Sequence, residues 1–190
     1  MPILTTETDF YPENLWDDPH AVACDTASKW WCLHTKPRQE KAVARDLQGA
    51  GVAFYLPQIN NERRTPQGRK LKSVLPLFTG YLFLKGDDND RMVAIHGNRV
   101  ANVLQVFDQS TLEQDLRGIH KFLSSGLHVS TEPQVLPGTK VQIRSGPLAG
   151  AAGTVVRRGN GDHLVATVQF LSCGASVELR DWQIEPMVKR

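Results

Sequence analysis

Residues 137–156 run PGTKVQIRSGPLAGAAGTVV, from Pro137 to Val156. Val141 and Ile143 share one face of a strand, and Val155 falls on the strand facing it. Gly146 and Pro147 start a turn, while Gly150 and Gly153 permit backbone angles that other residues resist. The pattern is a β-hairpin with a wide, glycine-ruled loop. The same style continues to the end of the chain, with no helix. Short strands are expected near Lys140–Arg144, Gly153–Arg158, Leu164–Leu171 and Ala175–Leu179. About 50 residues of closely spaced strands suit a small barrel.

Upstream the pattern is mixed. Trp30 to Thr35 reads as a short buried strand ended by Pro37. Arg38 to Ala50 reads as a helix, with Val43, Leu47 and Ala50 at helical spacing and Gly51 as its stop. Val52 to Ile59 alternates toward a second strand. Asn60 to Ser73 is polar and basic around Pro66-Gln67-Gly68, as in a hairpin tip or long loop. Val74 to Lys85 is an apolar strand interrupted by Pro76 and Gly80. Asp87 to His96 reads as a short helix with Met92, Val93 and Ile95 inward and acids at its start. Val100 to Phe107 follows as a strand. Thr111 to Gln114 looks like a capping box, opening a helix whose buried stripe is Leu112, Leu116, Ile119 and Leu123, with Gly126 at its end. Helices on a mostly antiparallel sheet make this part an α+β sandwich. Residues 127–136, with Pro133 and the following Pro137, hold no clear element and read as a linker. Residues 1–28 show no sustained periodicity and read as an acidic tail, disordered or docked only locally.

Charge is segregated. Residues 1–28 carry six acids and no Lys or Arg, a net −6. Residues 29–85 carry eleven Lys or Arg against Glu40, Asp46 and Glu62, a net +8. That asymmetry favours a polyanion or an acidic protein surface as partner, or an acidic tail folded over a basic face. Cys24, Cys32 and Cys173 have no metal-ligand spacing, so no zinc site or disulfide framework is expected. No glycine-rich phosphate loop, nucleophile elbow or compact acid–base pair is present, and the six histidines are widely spaced. An enzyme, a cofactor and a metal are therefore not expected. No apolar run approaches the roughly 20 residues of a membrane span. Met1 to Phe10 lacks the start of a secretory signal. A soluble, cytoplasmic protein is the expectation.

The stretch from Pro137 to Val156 closely resembles the KOW motif, found in NusG-family transcription factors and in some ribosomal proteins. The first domain separates these. Lys29 to Lys41 (KWWCLHTKPRQEK), Ala53 to Pro57 (AFYLP) and Pro76 to Leu84 (PLFTGYLFL) look like a NusG N-terminal (NGN) domain. The resemblance covers roughly 29–188 in the correct order. It implies an α+β chain with an NGN α/β sandwich over 29–126 and a small SH3-like KOW β-barrel over 137–190, the first preceded by the flexible acidic tail read over 1–28 and the two joined by the linker read over 127–136. Thr35 to Glu40 and Tyr55-Leu56-Pro57 are spelled more like the specialised paralogues, such as RfaH and the capsule-operon antiterminators, than like the housekeeping factor.

The resemblance also implies sites. The family's N-terminal domain binds the clamp helices of the largest RNA polymerase subunit in an apolar depression, matched here by Trp30, Phe78, Gly80 and Tyr81; Thr79 replaces the usual proline. Aromatics beside a glycine turn often stay partly exposed, whereas Trp30 and Phe83 also fit an ordinary core. A second contact, to the opposing polymerase lobe, maps to the short helix with Asp90, Arg91 and Met92. Specialised members contact non-template DNA; Lys36, Arg38 and Arg99 lie on the matching edge. Asp46 and Gly49 stand where a specialised relative has basic or polar groups. Arg63, Arg64, Arg69, Lys70 and Lys72 form a basic hairpin, read as a polymerase or upstream DNA contact or as a solvated loop. The KOW barrel recruits a termination factor or a ribosomal protein through a loop matched by Phe170, Leu171, Ser172 and Cys173, with Cys173 in place of a basic residue. The resulting expectation is a monomeric elongation factor that suppresses pausing or termination. A ribosome-associated or RNA-binding KOW protein and the housekeeping factor stand as alternatives.

Overall fold

The structure is a computed structural model and describes residues 8–17, 28–64, 67–68, 70–127, 129–132, 139–143, 147–158, 161–171, 173–178 and 184–186. Its contacts divide the chain into two units, Met1–Gln109 and Ser110–Arg190. Among the described residues the chain is α+β, with antiparallel sheets and three helices.

The first unit is built on a five-stranded antiparallel sheet. Its strands are β1 (Phe10–Tyr11), β2 (Lys29–Thr35), β3 (Ala53–Tyr55), β6 (Tyr81–Gly86) and β7 (Val100–Gln105), in the order β1-β3-β6-β2-β7. Strand β2 is the apolar run KWWCLHT and lies inside the sheet. Its register sets Trp31 opposite Leu84 and Leu33 opposite Leu82 on β6. Alternation then puts Trp31, Leu33, Leu82, Leu84 and Phe54 in one core with Val43, Ala44 and Leu47 of α1 (Glu40–Gly49). The opposite face carries Trp30, Cys32, Tyr55 and Phe83, all buried. Two further strands, β4 (Gln58–Arg64) and β5 (Lys70–Pro76), pair as a separate hairpin. The polar stretch after Ile59 is therefore mostly strand. Leu56 and Pro57 divide the expected second strand in two.

Helix α2 (Asp88–His96) corrects one expectation. Met92, Val93 and Ile95 are exposed, and Ala94 is its buried residue. The cause is the N-terminal cap. The Asp87 carboxylate accepts from the backbone of Asn89 and Asp90, and the Asp90 carboxylate accepts from the backbone of Asp87. Asp90 then sits against Gly86, where a Cβ would lie 2.7 Å from that of Asp90. Arg91 lies over the Trp31 ring. With Asp90 and Arg91 turned inward, the 3.6-residue period brings Ala94 to the core and turns its apolar neighbours out.

The second unit contains the body of α3 (Gln109–Ser124). It begins two residues before the expected capping box and buries Leu112, Leu116, Ile119 and Phe122; Leu123 is only half-buried. Beyond it lies a six-stranded antiparallel sheet of β8 (Ser130–Glu132), β9 (Thr139–Ile143), β10 (Ala152–Arg158), β11 (Gly161–Val168), β12 (Cys173–Glu178) and β13 (Ile184–Pro186), ordered β13-β9-β10-β11-β12-β8. The expected hairpin is β9–β10, with Val141 opposite Gly153. Strand β8 falls in the stretch expected to be an unstructured linker, and pairs with β12. Gly146, Pro133 and Pro137 lie outside the described residues.

At the N-terminus, where a tail either disordered or docked only locally is expected, residues 9–17 dock on the first unit. Phe10 and Tyr11 pair with Tyr55 and Phe54 at the sheet edge. Leu15 is buried. The composition of residues 1–28 is polar enough to suggest disorder, but four apolar side chains, Phe10, Tyr11, Leu15 and Trp16, suffice to dock this part.

Candidate functional site

The most constrained feature of the first unit is the turn that leads into β6. Leu77 donates from its backbone to Pro57 at 2.7 Å, and Tyr81 to Phe78 at 3.0 Å. Gly80 closes the turn at φ +84°. A Cβ there would meet only the His34 ring, at 3.6 Å, so the left-handed backbone rather than space demands glycine. Both polar groups of Gly80 are held. Its N–H donates to the Glu40 carboxylate at 2.7 Å, and its carbonyl accepts from Thr35 at 2.8 Å. Glu40 is the first residue of α1 and is 4% exposed. A carboxylate there is favoured by the helix dipole, and it locks the turn to both α1 and β2.

This turn presents Tyr81. Its ring is half-buried and stacks on exposed His34, centroids 5.1 Å apart. Phe78, expected to be partly exposed, is buried and meets Phe83 edge-on at 6.1 Å. Trp30 is buried as well, at 2% exposure. Its ring stacks on Trp16 at 6.1 Å, and its backbone is gripped by the Gln109 side chain, which accepts from its N–H and donates to its carbonyl. Trp16 also meets Tyr55 edge-on at 4.9 Å. Of the four expected depression residues, Gly80 and Tyr81 share the turn with Phe78, and Trp30 lies beneath Trp16. Arg91 pairs with Asp88 and lies over Trp31, while Met92 stands exposed beside it on α2.

The expected DNA-facing residues are brought together. Lys36 and Arg38 follow β2 and are exposed; Arg38 has φ +62°. The Lys36 ammonium donates to the Asn98 side chain at 3.0 Å, and the Lys36 backbone donates to Arg99. Arg99 is already engaged, donating to Asp46 at 2.9 Å and to Gln39 at 3.1 Å. The edge thus offers two exposed cations and one that is internally neutralised. Lys72 is exposed on β5. Arg69 and the side chains of Arg63, Arg64 and Lys70 lie outside the described residues. In the second unit Phe170 is exposed, Leu171 is half-buried, and the Cys173 thiol reaches the Leu171 carbonyl at 3.2 Å; Ser172 lies outside the described residues.

Burial pushes the Cys32 thiol up to about 12, so it behaves as a buried apolar group. Burial also raises the Asp9 carboxyl to about 6, against the opposing pull of Lys41 and of a hydrogen bond from Gln58. Among the described residues no group of His, Cys, Asp and Glu could hold a metal ion. No described helix is long and apolar enough to cross a membrane.

A family model described as transcription termination factor nusG matches residues 28–144, well over half of the chain. The chain belongs to the NusG family. That family is one of transcription factors, not of enzymes, and the matched span holds β2 to β7, α1 to α3 and the start of the second sheet. The matched span begins after the Trp16 segment. No curated protein matches the chain. The sequence reading missed Glu40 and His34 as partners of the Gly80 turn. An acid at the start of a helix gives a hint of the first, but nothing local shows that it meets a glycine 40 residues away.

Proposed function

We propose that this NusG-family chain is a transcription elongation factor. It binds RNA polymerase through its first unit, by the clamp helices of the largest subunit, and suppresses pausing or termination. The observation that carries the reading is the Gly80 turn, clamped by Glu40 and Thr35, which holds the Tyr81–His34 stack in place. Rigid, partly exposed aromatics of this kind serve as anchors at protein interfaces. Buried Trp30 and Phe78 belong to the same proposed depression as Tyr81. Exposed Met92, with Arg91, supplies the second contact, to the opposing lobe. Lys36 and Arg38 take the phosphates of exposed non-template DNA, helped by the β4–β5 arm with Arg63, Arg64, Arg69, Lys70 and Lys72. The six-stranded C-terminal sheet supports a KOW barrel that recruits a termination factor or ribosomal protein around Phe170, Leu171 and Cys173. The residues 35–40 and 55–57 favour a specialised antiterminator over the housekeeping factor. Binding favours elongation only as far as it is tighter to that state than to the paused one.

The test is binding to reconstituted elongation complexes of the host polymerase, with pause lifetimes scored. Tyr81→Ala should fold normally, bind weakly and leave pauses long. Tight binding by Tyr81→Ala rejects the anchor. Failure of the native chain to bind at all rejects the polymerase reading and directs the search to ribosomes.

A further inference from the structure

The segment Asp9–Asp17 lies outside the span matched by the family yet covers part of its most aromatic face. Three kinds of contact hold it. Phe10 and Tyr11 add a two-residue strand to the edge of β3. The Asp9 carbonyl accepts from the Leu56 backbone at 2.6 Å, and its carboxylate accepts from Gln58 at 2.9 Å. Phe10 and Trp16 then close over Tyr55, and Trp16 stacks on Trp30. By strand alternation Trp30 and Tyr55 share a face with His34, Tyr81 and Phe83. The segment carries Asp9, Glu13 and Asp17, whereas residues 29–85 are strongly basic. The attachment is confined to nine residues, namely a two-residue edge strand, two hydrogen bonds to Asp9, buried Leu15 and the ring contacts of Phe10 and Trp16, and a peripheral segment of this size can open locally without global unfolding.

We infer that residues 9–17 are a cis-acting latch: an aromatic, acid-bearing peptide that occupies the Trp30–Tyr55 face and must leave before an aromatic-bearing partner segment takes it. The identity of that partner as RNA polymerase rests on the function proposed above; the latch does not. While the latch is shut the face is unavailable, so apparent affinity falls by the fraction of molecules open.

The test compares the native full-length chain with Phe10→Ala/Trp16→Ala. The probe is a fluorescein-labelled peptide of residues 8–17. The variant should bind the peptide and the native chain should not, and the variant should bind elongation complexes roughly tenfold more tightly. If the folded variant ignores the peptide, the segment is a fixed part of the fold and the latch is wrong. If the variant takes the peptide but neither protein binds polymerase, the latch holds and the polymerase reading falls. Hydrogen exchange on the native chain decides the matter even if the variant unfolds. The Leu56 amide should exchange at least tenfold faster than those of Leu82 and Phe83 on β6, through partial opening. Equal rates overturn the latch.

Discussion

Replacing Glu40 by alanine removes the acceptor for the buried Gly80 N–H without touching any exposed surface. That hydrogen bond is 2.7 Å long, and its acceptor is 4% exposed. A hydrogen bond to a charged group contributes about 1.5–3 kcal/mol, and a donor left buried without a partner forfeits its hydration in full. Loss of a favourable carboxylate at the first position of α1 adds about 0.3–1 kcal/mol. Together these set a destabilisation of roughly 2–4 kcal/mol for Glu40→Ala. Glu40→Gln keeps an amide oxygen in the same place and loses only the charge, so it should cost about 1 kcal/mol. Urea unfolding followed by tryptophan fluorescence measures both, because Trp16, Trp30 and Trp31 all lie in Met1–Gln109. The midpoint should fall with an unchanged slope. Two results refute the reasoning. An unaffected Glu40→Ala means the turn does not depend on this bond. Equal damage from alanine and glutamine means that the charge, not the acceptor, is what matters. Pausing assays on Glu40→Ala should also show weakened activity in the folded protein, because a loosened turn misplaces Tyr81.

Three further outcomes are expected. Asp9 has a folded-state pKa near 6 against an ordinary 3.8, so the docked state binds its proton more tightly. Its stabilising contribution is full below about pH 4 and is lost as pH rises through 6; exchange at the Leu56 amide should speed up over that window, and Asp9→Asn should flatten the profile. Lys36→Ala/Arg38→Ala should weaken binding to single-stranded DNA and reduce its salt slope by roughly 0.7 per lost charge, whereas Arg99→Ala, whose charge already faces Asp46, should change the slope less in a titration followed by anisotropy. Met92→Ser/Val93→Ser should leave the thermal midpoint nearly unmoved, within about 0.5 kcal/mol of stability, because both side chains are exposed, yet should reduce occupancy on elongation complexes.

Much of the architecture can be read along the chain because it depends on local chemistry. The run from Trp30 to Thr35 is apolar enough to lie inside a sheet, Gly51 and Gly80 both take positive φ where a stop or turn was expected, and Pro76 ends β5. Periodicity likewise found α1 and most of the buried stripe of α3. Facing was harder. Met92, Val93 and Ile95 read as a core stripe, but the cap formed by Asp87 and Asp90 and the seat of Arg91 on Trp31 rotate α2 the other way. That rotation is set by contacts with another strand.

The amino-acid sequence by itself determined where the three helices, the central strands and the left-handed Gly51 and Gly80 lie, though not β1, β8 or the full β4–β5 arm, since the former follow from side-chain periodicity and backbone sterics within a few residues. Only the tertiary structure decided which groups meet. Glu40 reaches Gly80, Arg99 reaches Asp46, and Trp16 reaches Trp30 across 40, 53 and 14 positions of the chain. No local preference encodes such pairs. They form because the sheet register brings those positions together, and because a buried carboxylate, a cation or a large aromatic ring must then find a partner or remain in water.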